Sequence, residues 1–144
     1  MVPVMHSADD VWTAEPFDHC GPIVAGATLE SVSALWGPPD HVRENRTFVD
    51  CTWRHVMVAC TILPDGTVYE VELLSSTSPR VGYHDVKLWG SFKVLERKLA
   101  KIDVALVENP IGGYKIPGIQ LWAEPDRKSV QTVNVRLSHQ EIPL

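Results

Sequence analysis

Two stretches of this sequence carry the same punctuation, which limits the folds open to it. Residues 53–65 and 114–126 lie over one another without a gap. An aromatic residue leads each, Trp53 and Tyr114, and Pro64-Asp65 and Pro125-Asp126 close them. Upstream, 23–35 aligns with 93–105, placing Val24, Leu29 and Val32 over Val94, Leu99 and Ile102. A segment used twice reads as one supersecondary unit, and two such units joined edge to edge would make one longer sheet.

Periodicity and turn chemistry name the elements. Val49, Cys51 and Trp53 alternate with Asp50, Thr52 and Arg54, and Tyr69, Val71 and Leu73 alternate with Glu70 and Glu72. Val133, Val135 and Leu137 alternate with Asn134, Arg136 and Ser138. Such alternation marks antiparallel strands with one wet face. Pro64 presets φ for a turn, and Asp65-Gly66 tolerates a tight hairpin. A helix is expected from the hydroxyl N-cap Thr28 through Leu29, Val32, Leu35 and Trp36, with Glu30 at its positive end and Gly37-Pro38-Pro39 as its stop. In the second copy Phe92, Leu95, Leu99, Ile102 and Leu106 alone suggest one helix over about 91–107. The alignment instead gives a short strand and a helix starting near 98, and it is preferred.

The expectation is therefore an α+β fold in a single domain, 1–144, with an N-terminal arm (1–19) and two pseudo-repeats (20–75 and 90–138). Each pseudo-repeat is a short strand, a helix and an antiparallel β-meander. Together they form one continuous sheet with helices on one face. The other face is a broad platform, suited to recognition more than to catalysis.

A chain of 144 residues buries roughly 70% of its unfolded surface and needs no metal or disulfide staples. Its 44% hydrophobic and 22% charged residues exclude a disordered tail, and no apolar run approaches a membrane span of about 18 residues. Eighteen acids against thirteen bases argue against a nucleic-acid binder. The charge is uneven: residues 1–72 hold eleven acids and three bases, residues 73–144 seven acids and ten bases. Asymmetry of this kind steers charged partners. The N-terminal residues lack the basic and apolar regions of a signal peptide. Cys20, Cys51 and Cys60 are an odd, sparse set, read as small buried hydrophobes in a reducing compartment. A cytoplasmic location follows as the expectation.

No strong catalytic motif is present: there is no GxSxG, Walker-type loop, GxGxxG or HExxH. His6, His19, His41, His55, His84 and His139 are scattered, and neither His19-Cys20 nor Cys51…His55…Cys60 has a usual zinc spacing, so no metal and no cofactor are expected. Asp18-His19 and His84-Asp85 are chance neighbours. Lys93, Arg97 and Lys101 line a helix face and read as a solvated surface. Trp36, Trp53 and Trp122 fall at apolar positions of the repeats and read as core. Trp12 and Trp89 lie outside the pattern, where an indole either seals the sheet ends or anchors a partner.

The run from Gly26 to Asp40, ending Trp-Gly-Pro-Pro-Asp, then a strand ending at Trp53 and the turn 64–68, resembles the helix-and-meander arrangement of two groups. One is the small outer-membrane assembly lipoproteins; the other is the tandem-repeat β-lactamase inhibitor proteins. The sequence also resembles bacterial immunity proteins of polymorphic toxin systems, many of them small, acidic and cytosolic. The resemblance covers about 20–75 well and the second copy weakly. No lipid-anchor context, leader or set of paired cysteines accompanies it, which leaves the immunity reading. That resemblance implies a non-enzymatic protein inhibitor that neutralises a cognate toxin. Its partner site is expected at the acids Asp9, Asp10, Glu15, Asp18, Asp40 and Glu44, steering a basic toxin surface, with Trp12 or Trp89 exposed to hold it. The alternative is a small-molecule binder or enzyme of cone-shaped helix-plus-curved-sheet type, with His55 or His84 beside Asp50 or Asp85 in a pocket. A third is a scaffolding subunit that associates through a sheet edge.

Overall fold

The chain reverses direction often, and the computed structural model, which describes residues 11–74 and 80–140, is built mainly of strands. First come β1 (Val11–Glu15), β2 (His19–Cys20) and β3 (Ile23–Val24), then helix α1 (Leu29–Trp36). A meander follows: β4 (His41–Glu44), β5 (Val49–Trp53), β6 (Val58–Ile62) and β7 (Val68–Leu73). The second half supplies β8 (Arg80–Tyr83), β9 (Val86–Lys87) and α2 (Phe92–Ala100). Its meander is β10 (Val107–Glu108), β11 (Tyr114–Ile116), β12 (Ile119–Trp122) and β13 (Thr132–Arg136). The meanders join through β7 and β13 into an eight-stranded antiparallel sheet, β10-β11-β12-β13-β7-β6-β5-β4. A five-stranded sheet, β3-β2-β1-β8-β9, is antiparallel except for the parallel pair β1 and β8.

Local chemistry explains the boundaries. The Thr28 hydroxyl accepts from the Ser31 amide at 3.2 Å, and Ser31 Oγ accepts from the Thr28 amide at 2.9 Å, a reciprocal cap that starts α1. Gly37, at φ 82°, ends it. Asp65 Oδ1 accepts from the Thr67 amide at 3.0 Å, and Gly66 takes φ 90° in the turn from β6 to β7.

The expected α+β architecture is overturned. Strand and bridge residues make up 42% of the described chain and helix only 14%, and the strands form two separate sheets, of five and eight strands, in place of one sheet with helices on one face. Residues 11–15, assigned to an arm, form the central strand of that sheet. Its strands β2, β3 and β9 are two residues long, too short to show alternation, and its turns use non-glycine residues at positive φ: Phe17 at 66°, His84 at 47° and Asp85 at 66°. His84-Asp85 is thus the two-residue turn between β8 and β9, with both φ values positive as a primed hairpin turn requires. Helix α2 starts at Phe92 behind Ser91, not near 98, and ends at Ala100. Phe92, Leu95 and Leu99 form its buried stripe, and Ile102 lies past its end. Leu29 opens α1 whereas Leu99 sits in the last turn of α2, so the alignment of 23–35 on 93–105 does not describe equivalent positions.

One core cluster joins all layers, and three indoles tie it together. Trp12 of β1 stacks on Trp36 of α1 at 5.8 Å and 5°, and Trp36 meets Trp53 of β5 edge-on at 5.8 Å. Trp53 Nε1 donates to the Gly37 carbonyl at 2.8 Å. Each such ring pair stabilises by about 0.5–1.5 kcal/mol beyond area burial. Trp12 is 4% exposed, which corrects its expected role as an exposed partner anchor: it seals the core. Gly21, at φ 59°, lies against the Trp12 ring with no room for a Cβ, so the turn between β2 and β3 is built around that indole.

Candidate partner-binding face of the eight-stranded sheet

Alternation along β5, β6, β7, β12 and β13 points Cys51, Trp53, Val58, Cys60, Val71, Leu73, Ile119, Leu121, Val133 and Val135 into the core. The intervening residues make the opposite face. Register sets His41, Thr52, Ala59, Glu72, Asn134, Gln120 and Lys115 in one row across the sheet, and Arg43, Asp50, Thr61, Glu70 and Arg136 in the next. None of these belongs to the core cluster. The face is open, polar and eight strands wide.

Its centre is acidic. Asp50 Oδ1 accepts from Thr61 Oγ1 at 3.0 Å and its Oδ2 from Asn45 Nδ2 at 3.3 Å. Glu70 Oε1 accepts from Asn134 Nδ2 at 2.7 Å. Arg136 is in register with Glu70, but its guanidinium is committed elsewhere: Nε donates to the Ser138 carbonyl at 3.0 Å, Nη2 to the Gln140 carbonyl at 2.8 Å, and the group lies over Tyr69 at 4.7 Å. Glu72 has no hydrogen-bond or ion-pair partner among the described residues. Burial raises the Glu70 carboxyl above the usual range; the Asn134 hydrogen bond and the Arg136 charge oppose that, and Asp50 adds to it. Burial likewise raises Glu72, reinforced by the negative charges of Glu70 and Asp50.

A carboxyl raised in the folded state contributes stability below its ordinary value, about 4.3, and that contribution is lost as pH rises through the folded value. The expected outcome for Glu72→Gln is a higher urea midpoint than wild type at pH 7 and an equal midpoint near pH 4. Urea titrations at the two pH values measure it, and a Glu72→Gln protein less stable at pH 7 contradicts it.

The acids expected from sequence do not form this site. Asp9 and Asp10 lie outside the described residues. Glu15 pairs with His84 Nε2 at 3.0 Å on the small sheet, and Asp18 accepts from His19 Nδ1 at 2.8 Å at the end of the same sheet. Asp40 is exposed and accepts from the Arg54 amide at 2.6 Å. Glu44 ends edge strand β4 opposite Val49 and so faces away from Asp50. Trp89 is half-buried against the core, with its Nε1 buried and without a hydrogen-bond partner among the described residues. Trp122, read as core, is instead on the open face and 38% exposed, because β12 turns Ile119 and Leu121 inward and Gln120 and Trp122 outward. Glu70 and Glu72 were legible as wet-face residues, but their meeting with Gln120, Trp122 and Asn134 depends on the β7–β13 pairing, which no local pattern encodes.

Other groupings lead to less. Thr13 Oγ1, His19 Nε2 and Asp18 form a hydroxyl–imidazole–carboxylate chain, 3.1 Å then 2.8 Å, but Asp18 is 71% exposed and no described cavity adjoins the hydroxyl. His55 is exposed in the turn after β5, and His84 and Asp85 are exposed in theirs, so the pocket imagined for them with Asp50 is not assembled. The three thiols are buried and unpaired; burial pushes Cys20 up to about 12 and raises Cys51 and Cys60. Among the described residues no three His, Cys, Asp or Glu side chains are grouped to hold a metal ion, and no helix is long and apolar enough to cross a membrane. A hollow of about 500 Å³ beside α2 is lined by Lys93, Glu96, Tyr114, Arg127 and Lys128.

No protein-family model and no curated protein matches the chain. Among solved structures it is similar to an extracellular protein containing a SCP domain from Bacillus anthracis str. Ames, with a TM-score of 0.53 and 10% identity. The match covers 77% of this chain and 43% of that one, so the chain spans under half the length of this neighbour. At that identity the likeness speaks to the fold alone.

Proposed function

We propose that this chain is a binding module for a basic protein, docked through the open face of the eight-stranded sheet. The observation that carries the reading is the part-buried Glu72 carboxylate at the centre of that face, without a partner among the described residues and beside Glu70 and Asp50. A desolvated charge without a partner is costly, and a cation brought by another protein relieves the cost. The net charge of −5 favours the encounter. The specific form we favour is an inhibitor of a cognate toxin acting in the cytoplasm, where three unpaired buried thiols are at home. Steering still comes from the N-terminal half, but the docking acids are Asp50, Glu70 and Glu72. Capture by the tagged chain from its source cell tests this. A basic protein should co-purify with wild type and be lost with Glu70→Lys/Glu72→Lys. Equal recovery by both contradicts the proposal.

A further inference from the structure

Resting on that docking reading, we propose that the cleft between Glu72 and Trp122 receives a guanidinium group, an arginine side chain of the partner. The cleft, about 300 Å³, lies on the open face and is lined by Glu72, Gln120, Trp122, Thr132 and Asn134. Its polar lining is rich in acceptors. The Glu72 carboxylate only accepts, and Asn134 gives its Nδ2 to Glu70 at 2.7 Å, which leaves its Oδ1 to accept from a ligand. The wall is the Trp122 indole, 38% exposed, whose Nε1 edge lies beside Gly112.

Guanidinium suits this lining in three respects. It carries five donors and no acceptor, it is planar and stacks on an aromatic face, and it is always charged. Stacking over tryptophan adds a cation–π attraction. An ammonium would pair with Glu72 but has no plane to lay on the indole. An apolar side chain would bury Glu72 further without a partner, and an anion would meet Glu70, Glu72 and Asp50 together. The chain's own cations on this face, Arg43, Lys115 and Arg136, do not line this cleft, and Lys115 and Arg136 line the neighbouring hollow of about 160 Å³, so the cleft is left for an outside cation.

Heteronuclear NMR of the full chain tests the inference, with Nα-acetyl-arginine N-methylamide as the probe and its citrulline analogue as the uncharged isostere. The expected result is a saturable shift of the Trp122 indole N–H and of the Asn134 side-chain amide, with Kd on the order of millimolar, weakened at least about tenfold for citrulline. Glu72→Gln should abolish both shifts and Trp122→Leu, followed through the Asn134 amide, should reduce affinity, while Glu30→Gln on α1 should leave it unchanged. Equal response to citrulline, or arginine binding that survives Glu72→Gln, overturns the cleft. If arginine fails to bind while partner capture still depends on Glu70 and Glu72, the cleft falls and the docking face stands. If arginine binds and Glu72→Gln leaves partner capture intact, the docking reading falls, and the partner's arginine with it.

Discussion

Trp53→Ala is expected to lower the unfolding free energy by about 3–5 kcal/mol. Trp53 is fully buried, spans the core from β5, and holds α1 in two ways: its ring meets Trp36 edge-on, and its indole N–H reaches the Gly37 carbonyl that closes the helix. Alanine leaves a cavity between the large sheet and α1. It also frees a carbonyl and removes the ring that meets Trp36 edge-on beside the Trp12–Trp36 stack. Against a total stability of about 5–15 kcal/mol for a domain, that is a large fraction. In a chain of this length it corresponds to a fall in Tm of roughly 10 °C or more. Trp53→Phe keeps most of the volume and the ring contact and should lose less than half as much. Chemical denaturation of the three proteins measures the series. A Trp53→Ala loss below about 1 kcal/mol would mean that the indole cluster does not join the layers.

Glu72→Lys is expected to weaken binding of the purified partner by about 2 kcal/mol or more, roughly 30-fold, chiefly through faster dissociation. The argument is electrostatic. Glu72 is part-buried between Glu70 and the indole of Trp122, and it has no cation of its own among the described residues. A partner's cation seated there is desolvated, where charge pairs count for more than at a rim. Reversing Glu30, exposed on α1, should alter affinity by less than threefold, because exposed charges act mainly on encounter and are screened by salt. Equal effects at the two positions would reduce the role of the sheet face to general steering.

Much of the large sheet was readable from the sequence because its chemistry is local. Thr28 and Gly37 bound α1, Asp65-Gly66 makes its hairpin, and the alternation through Asp50, Glu70, Glu72, Asn134 and Arg136 marks the wet side. The small sheet was not readable, since two-residue strands carry no period and Phe17, His84 and Asp85 take positive φ where glycine or asparagine is the usual signal. The early acids drew attention as a run in sequence. The structure disperses them, Glu15 to His84, Asp18 to His19 and Asp40 to the Arg54 amide, and assembles a different set from strands brought together by long-range pairing. Trp12 and Trp122 exchange the roles their surroundings in sequence suggest, the first buried by the parallel β1–β8 pair and the second turned outward by strand parity.

Site-specific photo-cross-linking puts the central claim to its most direct test. A photoreactive side chain is placed at Gln120 on the open sheet face, or at Lys98 on the exposed side of α2, and the complex is irradiated in the source cell. The prediction is a covalent adduct to one basic protein from position 120 and none from position 98. An adduct from position 98 alone, or from neither, would contradict docking through the sheet face.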